Sequence, residues 1–348
     1  MRPIRVLIVE DSAVVRELLR RIISADPRLE VAGTASSAEE ALPLIRKLAP
    51  DVISLDIRLP GMNGFEATRR IMSERPTPIV VVSAAGAESE EMNLTMEALK
   101  AGAVSVVEKP PAATHEDYGT IAEHLCTQLA IMSQVRLVRQ RAIVQPSAHP
   151  VRARHAGGYH VLAVAASTGG PNAMLQLLKG LGRGFALPIV AVQHMTPNFV
   201  EGFGAWLASA TPFAVEIVND RVSLLPGRLY LAPPGKHLMV DRYWAWAEER
   251  GPVCNHRPSA HVLFKSMAQN VRDAGIGVLL TGMGDDGAEG LLEMRRAGAY
   301  TIAEHESTAI VYGMPAAAVR LGAVCEALPL PSIAPRILEL AAAPPEDV

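Results

Sequence analysis

Cysteine is scarce in this sequence, and the few cysteines do not form a recognisable framework. Three occur among 348 residues, at Cys126, Cys254 and Cys325. An odd number of widely spaced cysteines excludes a disulfide scaffold and favours a reducing compartment. The sequence also has no HExxH motif and no His/Cys cluster, so nothing in it predicts a zinc site.

The sequence also lacks a large excess of one charge and a long apolar run. The net charge of −3 gives no support to binding of a polyanion. No basic recognition helix is apparent, which argues against a transcription factor and against a nucleic-acid partner. No apolar stretch approaches the ~18 residues of a membrane span, and the run Val6–Val9 is too short for a signal peptide. We therefore expect a cytoplasmic protein without membrane insertion.

Alternating apolar runs and amphipathic segments fill the N-terminal part of the chain. This alternation predicts parallel strands joined by right-handed helical crossovers, which is a doubly wound α/β sheet. Ser12 is a candidate cap for the first helix. The predicted strands are Ile4–Val9, Leu29–Ala35, Val52–Leu55, Ile79–Val82 and Val104–Val107, and the later helices are Ala38–Leu48, Gly64–Ser73 and Ser89–Lys100.

A Pro- and Gly-rich segment divides the chain in two. A fifth helix is predicted over 116–141, and the segment QPSAHPVRARHAGG at 145–158 then predicts a basic linker. Strand–helix alternation resumes beyond it, and short strands with Pro/Gly turns between Phe213 and Trp246 predict a hairpin-like insertion. We predict three parts: a domain at 1–125, a helix end and linker at 126–158, and a second α/β domain at 159–345.

Polar residues follow the predicted strands of the first domain. Glu10 and Asp11 close the first strand, Asp56 the third, Ser83 the fourth and Lys109 the fifth. Functional groups of a parallel sheet gather at these carboxyl ends. Three carboxylates in one place repel each other unless a divalent cation lies between them, and Mg²⁺ suits oxygen ligands. A lysine and a hydroxyl beside such a cluster are suited to contact a phosphoryl group.

These five residues, together with LDIRLPGMNG and the Lys-Pro pair, resemble a response-regulator receiver domain. The resemblance implies that Asp56 is the phosphoacceptor and that a sensor histidine kinase is the phosphodonor. It also implies a Mg²⁺ site formed by Asp56 with Glu10 and Asp11, a switch hydroxyl at Ser83 and a phosphate contact at Lys109.

Three positions of the first domain qualify the resemblance to a receiver. Glu10 stands where receivers more often have aspartate, which lengthens one metal ligand and keeps its charge. Val106 stands where many receivers carry an aromatic residue that rotates on activation, so the route by which the signal leaves the site stays open. Receivers commonly aim the lysine with a cis bond, so we expect one between Lys109 and Pro110.

Three polar residues follow predicted strands of the second domain. Ser167 comes directly after Val161–Ala166, and the glycines of STGGP permit a sharp turn into a helix, the arrangement of a nucleophile elbow. His194 follows the run 188–192, and Asp286 follows the run 276–280. Alone, a histidine is more often structural and an acidic glycine-rich loop is more often a turn. Together they predict a serine nucleophile, its base and a carboxylate that orients the base.

The loop before the carboxylate predicts a site for the oxyanion. Backbone N–H groups of Gly282, Met283 and Gly284 in TGMGDDG are suited to stabilise a tetrahedral intermediate. The chain order Ser, His, Asp differs from that of the α/β-hydrolases, chymotrypsin and subtilisin.

A receiver followed by a linker, ASTGGP, QHM, HRPS and TGMGDDG resembles the chemotaxis protein-glutamate methylesterases along nearly the whole chain. The resemblance implies catalysis by Ser167, His194 and Asp286, with no cofactor for hydrolysis. It places Thr168 and Met283 at the site, supported by Gly282 and Gly284, and the segment 312–315 near the pocket. Asp285 is not given the catalytic role.

Two further histidines and one alanine lie in or near these motifs. His256 and His261 are interpreted as structural or pocket-lining, and His261 stands where the family commonly has an acidic residue. Ala165 stands where glycine is usual, which predicts a turn crowded by one methyl group.

The implied function is hydrolysis of glutamyl methyl esters on the cytoplasmic helices of sensory receptors, releasing methanol, together with glutamine deamidation. Phosphorylation of Asp56 is expected to activate the enzyme by opening a crevice that the receiver covers at rest. The alternative from another class is a receiver-containing signalling adaptor with an inactive hydrolase domain, and a third is an esterase for a small metabolite. The basic linker, with Arg152 and Arg154, is suited to dock acidic receptor tails or to act as a solvated tether, and we favour the tether.

Overall fold

The computed structural model describes residues 2–83, 89–111, 118–135 and 158–342, and for residues 89–93 it describes the backbone alone. The predicted linker, with Arg152 and Arg154, therefore lies outside the described residues apart from its last position, Gly158. The chain divides into two compact units, Met1–Arg141 and Ala142–Val348. No helix in the described ranges combines the length and apolarity needed to cross a bilayer.

The first unit is built on a five-stranded parallel sheet with strand order β2-β1-β3-β4-β5. Its strands are β1 (Ile4–Val9), β2 (Leu29–Ala35), β3 (Val52–Asp56), β4 (Ile79–Ser83) and β5 (Ser105–Glu108). Its helices are α1 (Ala13–Ala25), α2 (Ala38–Leu48), α3 (Gly64–Glu74), α4 (Ser89–Lys100) and α5 (Tyr118–Met132). Helix α1 contacts α5, while α3 contacts α2 and α4, so the sheet is covered on both faces as predicted.

Local sequence accounts for the ends of these helices. The Ser12 hydroxyl accepts a hydrogen bond from the Val15 N–H at the start of α1, which confirms the predicted cap. Helix α5 ends at Met132, before the predicted end, and residues 116–117 and 136–141 of the predicted helix lie outside the described residues. Beyond it the chain closes a turn, in which Gln134 N–H donates to Ile131 O at 3.0 Å and the Ser133 hydroxyl donates to Ala130 O at 2.8 Å. A serine that bonds the backbone in this way competes with continuation of the helix.

The second unit is built on a seven-stranded parallel sheet with strand order β15-β14-β13-β6-β7-β10-β8. The strands of the unit are β6 (Val161–Ala166), β7 (Ile189–Gln193), β8 (Ala214–Ile217), β9 (Val222–Ser223), β10 (Arg228–Leu231), β11 (His237–Val240), β12 (Trp244–Glu248), β13 (Gly275–Leu279), β14 (Tyr300–Glu304) and β15 (Glu326–Leu328). Its helices are α6 (Gly170–Leu181), α7 (Val200–Ala210), α8 (Ala260–Asn270), α9 (Ala288–Arg296), α10 (Met314–Arg320) and α11 (Leu330–Ala342). The doubly wound class predicted for this half is confirmed.

The hairpin-like insertion is smaller than the sequence suggested. Strands β8 and β10 pair in parallel with each other, and β10 pairs in parallel with β7, so both belong to the main sheet. A separate antiparallel sheet has the order β11-β12-β9. The sequence LYL at 229–231 is buried, as expected for a strand inside a parallel sheet rather than for an exposed hairpin.

Candidate active site

Ser167 lies on the sharp turn that the sequence predicts, between β6 and α6. Its N–H donates to Thr281 O at 3.0 Å, and its carbonyl accepts from Gly170 N–H at 2.8 Å. Gly169 has a φ of 78° and caps α6, and a Cβ at this position would lie 2.8 Å from the Ile310 Cβ. The turn therefore requires glycine, and it leaves the serine half-buried at the edge of the sheet.

His194 follows β7, which neighbours β6. Its N–H donates to Ala166 O at 3.0 Å, and its ring stacks on the His256 ring with centroids 4.0 Å apart and planes 6° apart. The His194 Nε2 lies 2.9 Å from Asp286 Oδ2, although the two groups are not aligned as a hydrogen bond. Within the described ranges, the buried Nδ1 has no hydrogen-bond partner, so the bond between serine and histidine that a triad uses is not formed.

Asp286 lies beyond β13, on the other side of β6, and is 1% exposed. It accepts hydrogen bonds from the Ser259 hydroxyl at 2.8 Å, Ala260 N–H at 2.7 Å and His261 N–H at 3.1 Å, so it also caps the start of α8. Burial raises the pKa of this carboxyl, but the contacts with His194, Ser259 and Ala260 outweigh burial and lower it below its ordinary value. A carboxylate held in this way stays ionised beside the histidine.

The neighbouring acid, Asp285, is exposed and lies outside this network of hydrogen bonds. The two adjacent aspartates are therefore in different environments. His256 lines the site by stacking on His194, and His261 contributes its backbone N–H to Asp286. Ala165 lies inside β6, fully buried, so its methyl group is part of the strand and not of the turn.

The loop that begins at Thr281 is fixed from several sides. The Thr281 N–H donates to Glu304 Oε2 at 2.8 Å, and its hydroxyl donates to Thr168 O at 2.9 Å. The Gly282 carbonyl accepts from the N–H groups of Gly313 and Met314, at 3.1 and 2.9 Å. The segment 312–315 therefore packs against this loop, as the sequence motif implied.

The predicted oxyanion donors are not equivalent. Gly282 N–H donates to Val311 O at 3.0 Å, so it is not available to a substrate. Gly282 is needed instead for close packing, because a Cβ there would lie 2.8 Å from the Ser167 Cβ. The N–H groups of Thr168, Met283 and Gly284 have no acceptor within the part of the chain that the structure describes.

Four polar residues of the site were not singled out from the sequence. The side chains of Thr281 and Gln193 donate hydrogen bonds to backbone carbonyls at and next to the serine. The Ser259 hydroxyl donates to Asp286, and the Glu304 carboxyl accepts from Thr281 N–H. Glu304 is fully buried, and burial raises its pKa to about 7. Three of the four share a usable signal, since Gln193 and Glu304 are the polar residues that end β7 and β14, and Thr281 follows the apolar run of β13.

The carboxyl edge of the first sheet collects the acidic residues. Glu10, Asp11 and Asp56 offer ligand oxygens that all lie within 4.8 Å of one another. Lys109 Nζ lies 2.8 Å from Asp56 Oδ2 and 3.1 Å from Glu10 Oε2. Burial and the charge of Asp56 raise the pKa of Glu10 to about 7, and burial raises the pKa of Asp56. Two buried carboxyl groups and one exposed one, brought together in this way, fit a hard divalent cation.

The remaining two predicted receiver residues lie beside this cluster. Ser83 ends β4, and its hydroxyl lies 3.5 Å from that of Thr95, a neighbour not predicted from the sequence. Lys109 N–H donates to Ser83 O at 2.7 Å. Among the described residues the one cis peptide bond is Arg257–Pro258, so the expected cis bond between Lys109 and Pro110 is wrong. With that bond trans, Lys109 already reaches both carboxylates.

Known proteins match both halves of the chain. A family model described as CheB methylesterase matches residues 162–337, and one described as response regulator receiver domain matches residues 6–115. The chain is 53% identical over 346 residues to "Protein-glutamate methylesterase/protein-glutamine glutaminase 2" of Paramagnetospirillum magneticum, covering 98% of each protein. It is 42% identical over 346 residues to "Protein-glutamate methylesterase/protein-glutamine glutaminase 1" of Syntrophus aciditrophicus, covering 97% of this chain and 98% of that one. The CheB methylesterase catalytic domain of Thermotoga maritima, a crystal structure, matches with a TM-score of 0.50 and 30% identity over 52% of this chain and 98% of its own.

Proposed function

The chain belongs to the CheB methylesterase family, with a response regulator receiver domain ahead of the catalytic domain, and we propose that Ser167 is the nucleophile of a protein-glutamate methylesterase and protein-glutamine glutaminase. The observation that carries the proposal is the meeting of Ser167, His194 and Asp286 at the carboxyl ends of neighbouring strands, with 2.9 Å between His194 Nε2 and Asp286 Oδ2. Each residue type matches the role that acyl transfer requires.

The reaction proceeds through an acyl-enzyme. The Ser167 Oγ attacks the carbonyl carbon of the glutamyl methyl ester, and its proton passes to His194. Because Nε2 faces Asp286, Nδ1 is the nitrogen that accepts this proton. The C–O bond to the methoxy group then breaks, His194 returns the proton, and methanol leaves. Water attacks the acyl-serine by the same proton route and releases the glutamate carboxylate.

Two features of the site support this sequence of steps. Catalytic hydrogen bonds are often long before substrate binds, and we expect the Oγ–Nδ1 bond to form in the substrate complex. The N–H groups of Thr168, Met283 and Gly284, which have no acceptor among the described residues, are suited to bind the oxyanion. With a glutamine side chain the leaving group is ammonia, which gives the glutaminase activity.

The receiver is proposed to control this reaction through Asp56 as phosphoacceptor. Glu10, Asp11 and Asp56 would hold Mg²⁺, which neutralises the negative charge of a phosphoryl group when bound. Lys109 and Ser83 contact the phosphoryl oxygens. The phosphodonor is a sensor histidine kinase, and the substrates are methylated helices on the cytoplasmic side of sensory receptors. The enzyme therefore acts in the cytoplasm, and phosphorylation raises its rate.

Methanol release from methylated receptor cytoplasmic fragments tests the proposal. The wild type, Ser167→Ala and the control Ser209→Ala, an exposed serine of α7, are compared with and without beryllofluoride and Mg²⁺. We expect release from the wild type and the control, more of it with beryllofluoride, and none from Ser167→Ala. An equal rate with and without beryllofluoride would refute control by the receiver. No release from any of the proteins would favour the adaptor with an inactive hydrolase domain.

A further inference from the structure

Gln193, the last residue of β7, joins the backbones of the proposed nucleophile and base. Its side chain is buried, and its Nε2 donates to Ser167 O at 2.8 Å and to His194 O at 2.9 Å. Both partners are carbonyl oxygens, which only accept, so the amide can satisfy them only with its NH₂ group turned towards them. One side-chain group therefore bonds two residues that are 27 positions apart in the chain.

The surroundings of Gln193 keep the amide in this place. Its Oε1 is buried and has no partner among the described residues. A Cβ at Gly170 would lie 2.2 Å from this oxygen, so the absence of a side chain at 170 is what makes room for the amide. A buried polar atom without a partner lowers the stability of the folded state. Such a cost is expected where the group has a role other than stability.

The bonds of Gln193 begin where the regular pairing of the two strands stops. Ala166 pairs with Gln193 as the last register position of β6 and β7, and His194 N–H donates to Ala166 O. Beyond it, the Ser167 and His194 backbones turn into their loops and are joined across the gap by the Gln193 amide. We propose that Gln193 is a positioning residue, whose amide holds the serine and histidine at the separation needed for proton transfer. This inference rests on the proposed function.

Replacing Gln193 with methionine tests the role with little change in side-chain volume. Methionine removes both donated hydrogen bonds. Because a displacement of about 1 Å can cost up to ~100-fold in rate, we expect kcat for methanol release to fall at least about tenfold, with KM within about twofold of the wild type. The matched control is Gln176→Met, the same change at an exposed position of α6, which should leave kcat unchanged.

Gly170→Ala is a second variant, which disturbs the side-chain amide while leaving the residue at position 193 unchanged. Alanine is favoured over glycine inside a helix, but a Cβ here would also lie 2.7 Å from the Ala166 Cβ, so the thermal stability of the variant is measured together with its rate. The added methyl group must displace the Gln193 amide, and we expect the same fall in kcat. A loss of kcat in a protein of undiminished thermal stability is not what a merely structural role would produce.

Hydrogen exchange of the full chain separates this inference from the proposed function. In Gln193→Met and Gly170→Ala we expect faster exchange at the amides of Gly170 and His194, with no change in β13 and β14. If kcat stays within about twofold of the wild type in both variants, or if exchange at these amides is unchanged, the positioning role is refuted. If the wild type releases no methanol, the proposed function fails, and the exchange comparison still decides whether Gln193 joins the two loops.

Discussion

Glu304→Gln should change how the stability of the catalytic unit depends on pH. Glu304 ends β14 and is fully buried, and its Oε2 accepts from Thr281 N–H at 2.8 Å. The other oxygen, Oε1, has no hydrogen-bond partner in the described ranges. Burial raises the pKa of this carboxyl from 4.5 to about 7 in the folded protein. Glutamine keeps an acceptor for Thr281 and has no charge to bury.

The size and sign of the effect follow from this shift. One pKa unit corresponds to about 1.4 kcal/mol, so a rise from 4.5 to about 7 corresponds to about 3 kcal/mol. Between these pH values the folded state binds more protons than the unfolded state, so stability falls as pH rises. The contribution of the protonated carboxyl is fully present below pH 4.5 and is lost once pH has risen through about 7. The free energy of unfolding of Glu304→Gln, relative to the wild type, should therefore be about 3 kcal/mol higher at pH 8 than at pH 4.5.

Tryptophan fluorescence during urea unfolding of the full chain measures this difference selectively. All three tryptophans, Trp206, Trp244 and Trp246, lie in the second compact unit. The control is Glu289→Gln, an exposed glutamate of α9, for which the difference from wild type should not change with pH. A constant difference between wild type and Glu304→Gln from pH 4.5 to pH 8 would show that Glu304 ionises normally and that the reasoning from burial is wrong.

Three other substitutions have definite expected outcomes. Asp286→Asn should abolish methanol release and also lower the free energy of unfolding by about 2–4 kcal/mol, because three donors lose a charged acceptor. Ser167→Ala should also abolish methanol release, but in the same fluorescence assay its free energy of unfolding should equal that of the wild type. Lys109→Met should strengthen Mg²⁺ binding at least about tenfold in calorimetry, because a cation 2.8 Å from Asp56 is removed, and beryllofluoride should no longer activate the enzyme. Gly282→Ala should lower kcat by about 100-fold in the methanol assay, because its methyl group would lie 2.8 Å from the Ser167 Cβ.

Most of the fold could be predicted because buried strands of a parallel sheet are continuous apolar runs. β1, β2 and β6 begin and end where the sequence predicted, and β3 and β4 extend the prediction by the one polar residue that ends each strand. The assignment of β8 and β10 to an insertion was less accurate. Their four-residue length and the neighbouring turns are typical of hairpins, and only the pairing with β7 distinguishes the two cases.

The candidate site was predictable where side chains react and less so where side chains hold the backbone. Ser167, His194 and Asp286 have residue types that point to chemistry, and each follows a strand. Gln193 and Thr281 act through hydrogen bonds to carbonyl groups of residues distant in sequence. Their place at the end of an apolar run is visible in the sequence, but any amide or hydroxyl can make such bonds, so their hydrogen-bond partners could not be predicted. Likewise, the use of Gly282 N–H by the Val311 carbonyl depends on a loop whose approach the sequence does not encode locally.

The order of strands explains why two sites arise at corresponding places in two different sheets. In the first sheet β1 has β2 on one side and β3 on the other. In the second sheet β6 has β7 on one side and β13, which comes much later in the chain, on the other. A crevice opens outside the carboxyl ends where the direction of winding reverses. Helix α6, which follows β6, contacts α7 and α11, while α9, after β13, contacts α8 and α10, as expected for helices on opposite faces. The acidic cluster lies at the ends of β1 and β3, and Ser167 and the Thr281 loop lie at the ends of β6 and β13. β6 is the first strand of its sheet along the chain and the central one in space, so both of its neighbours, β7 and β13, come later in the sequence. The serine after β6 therefore precedes the histidine after β7, and the aspartate after β13 comes last.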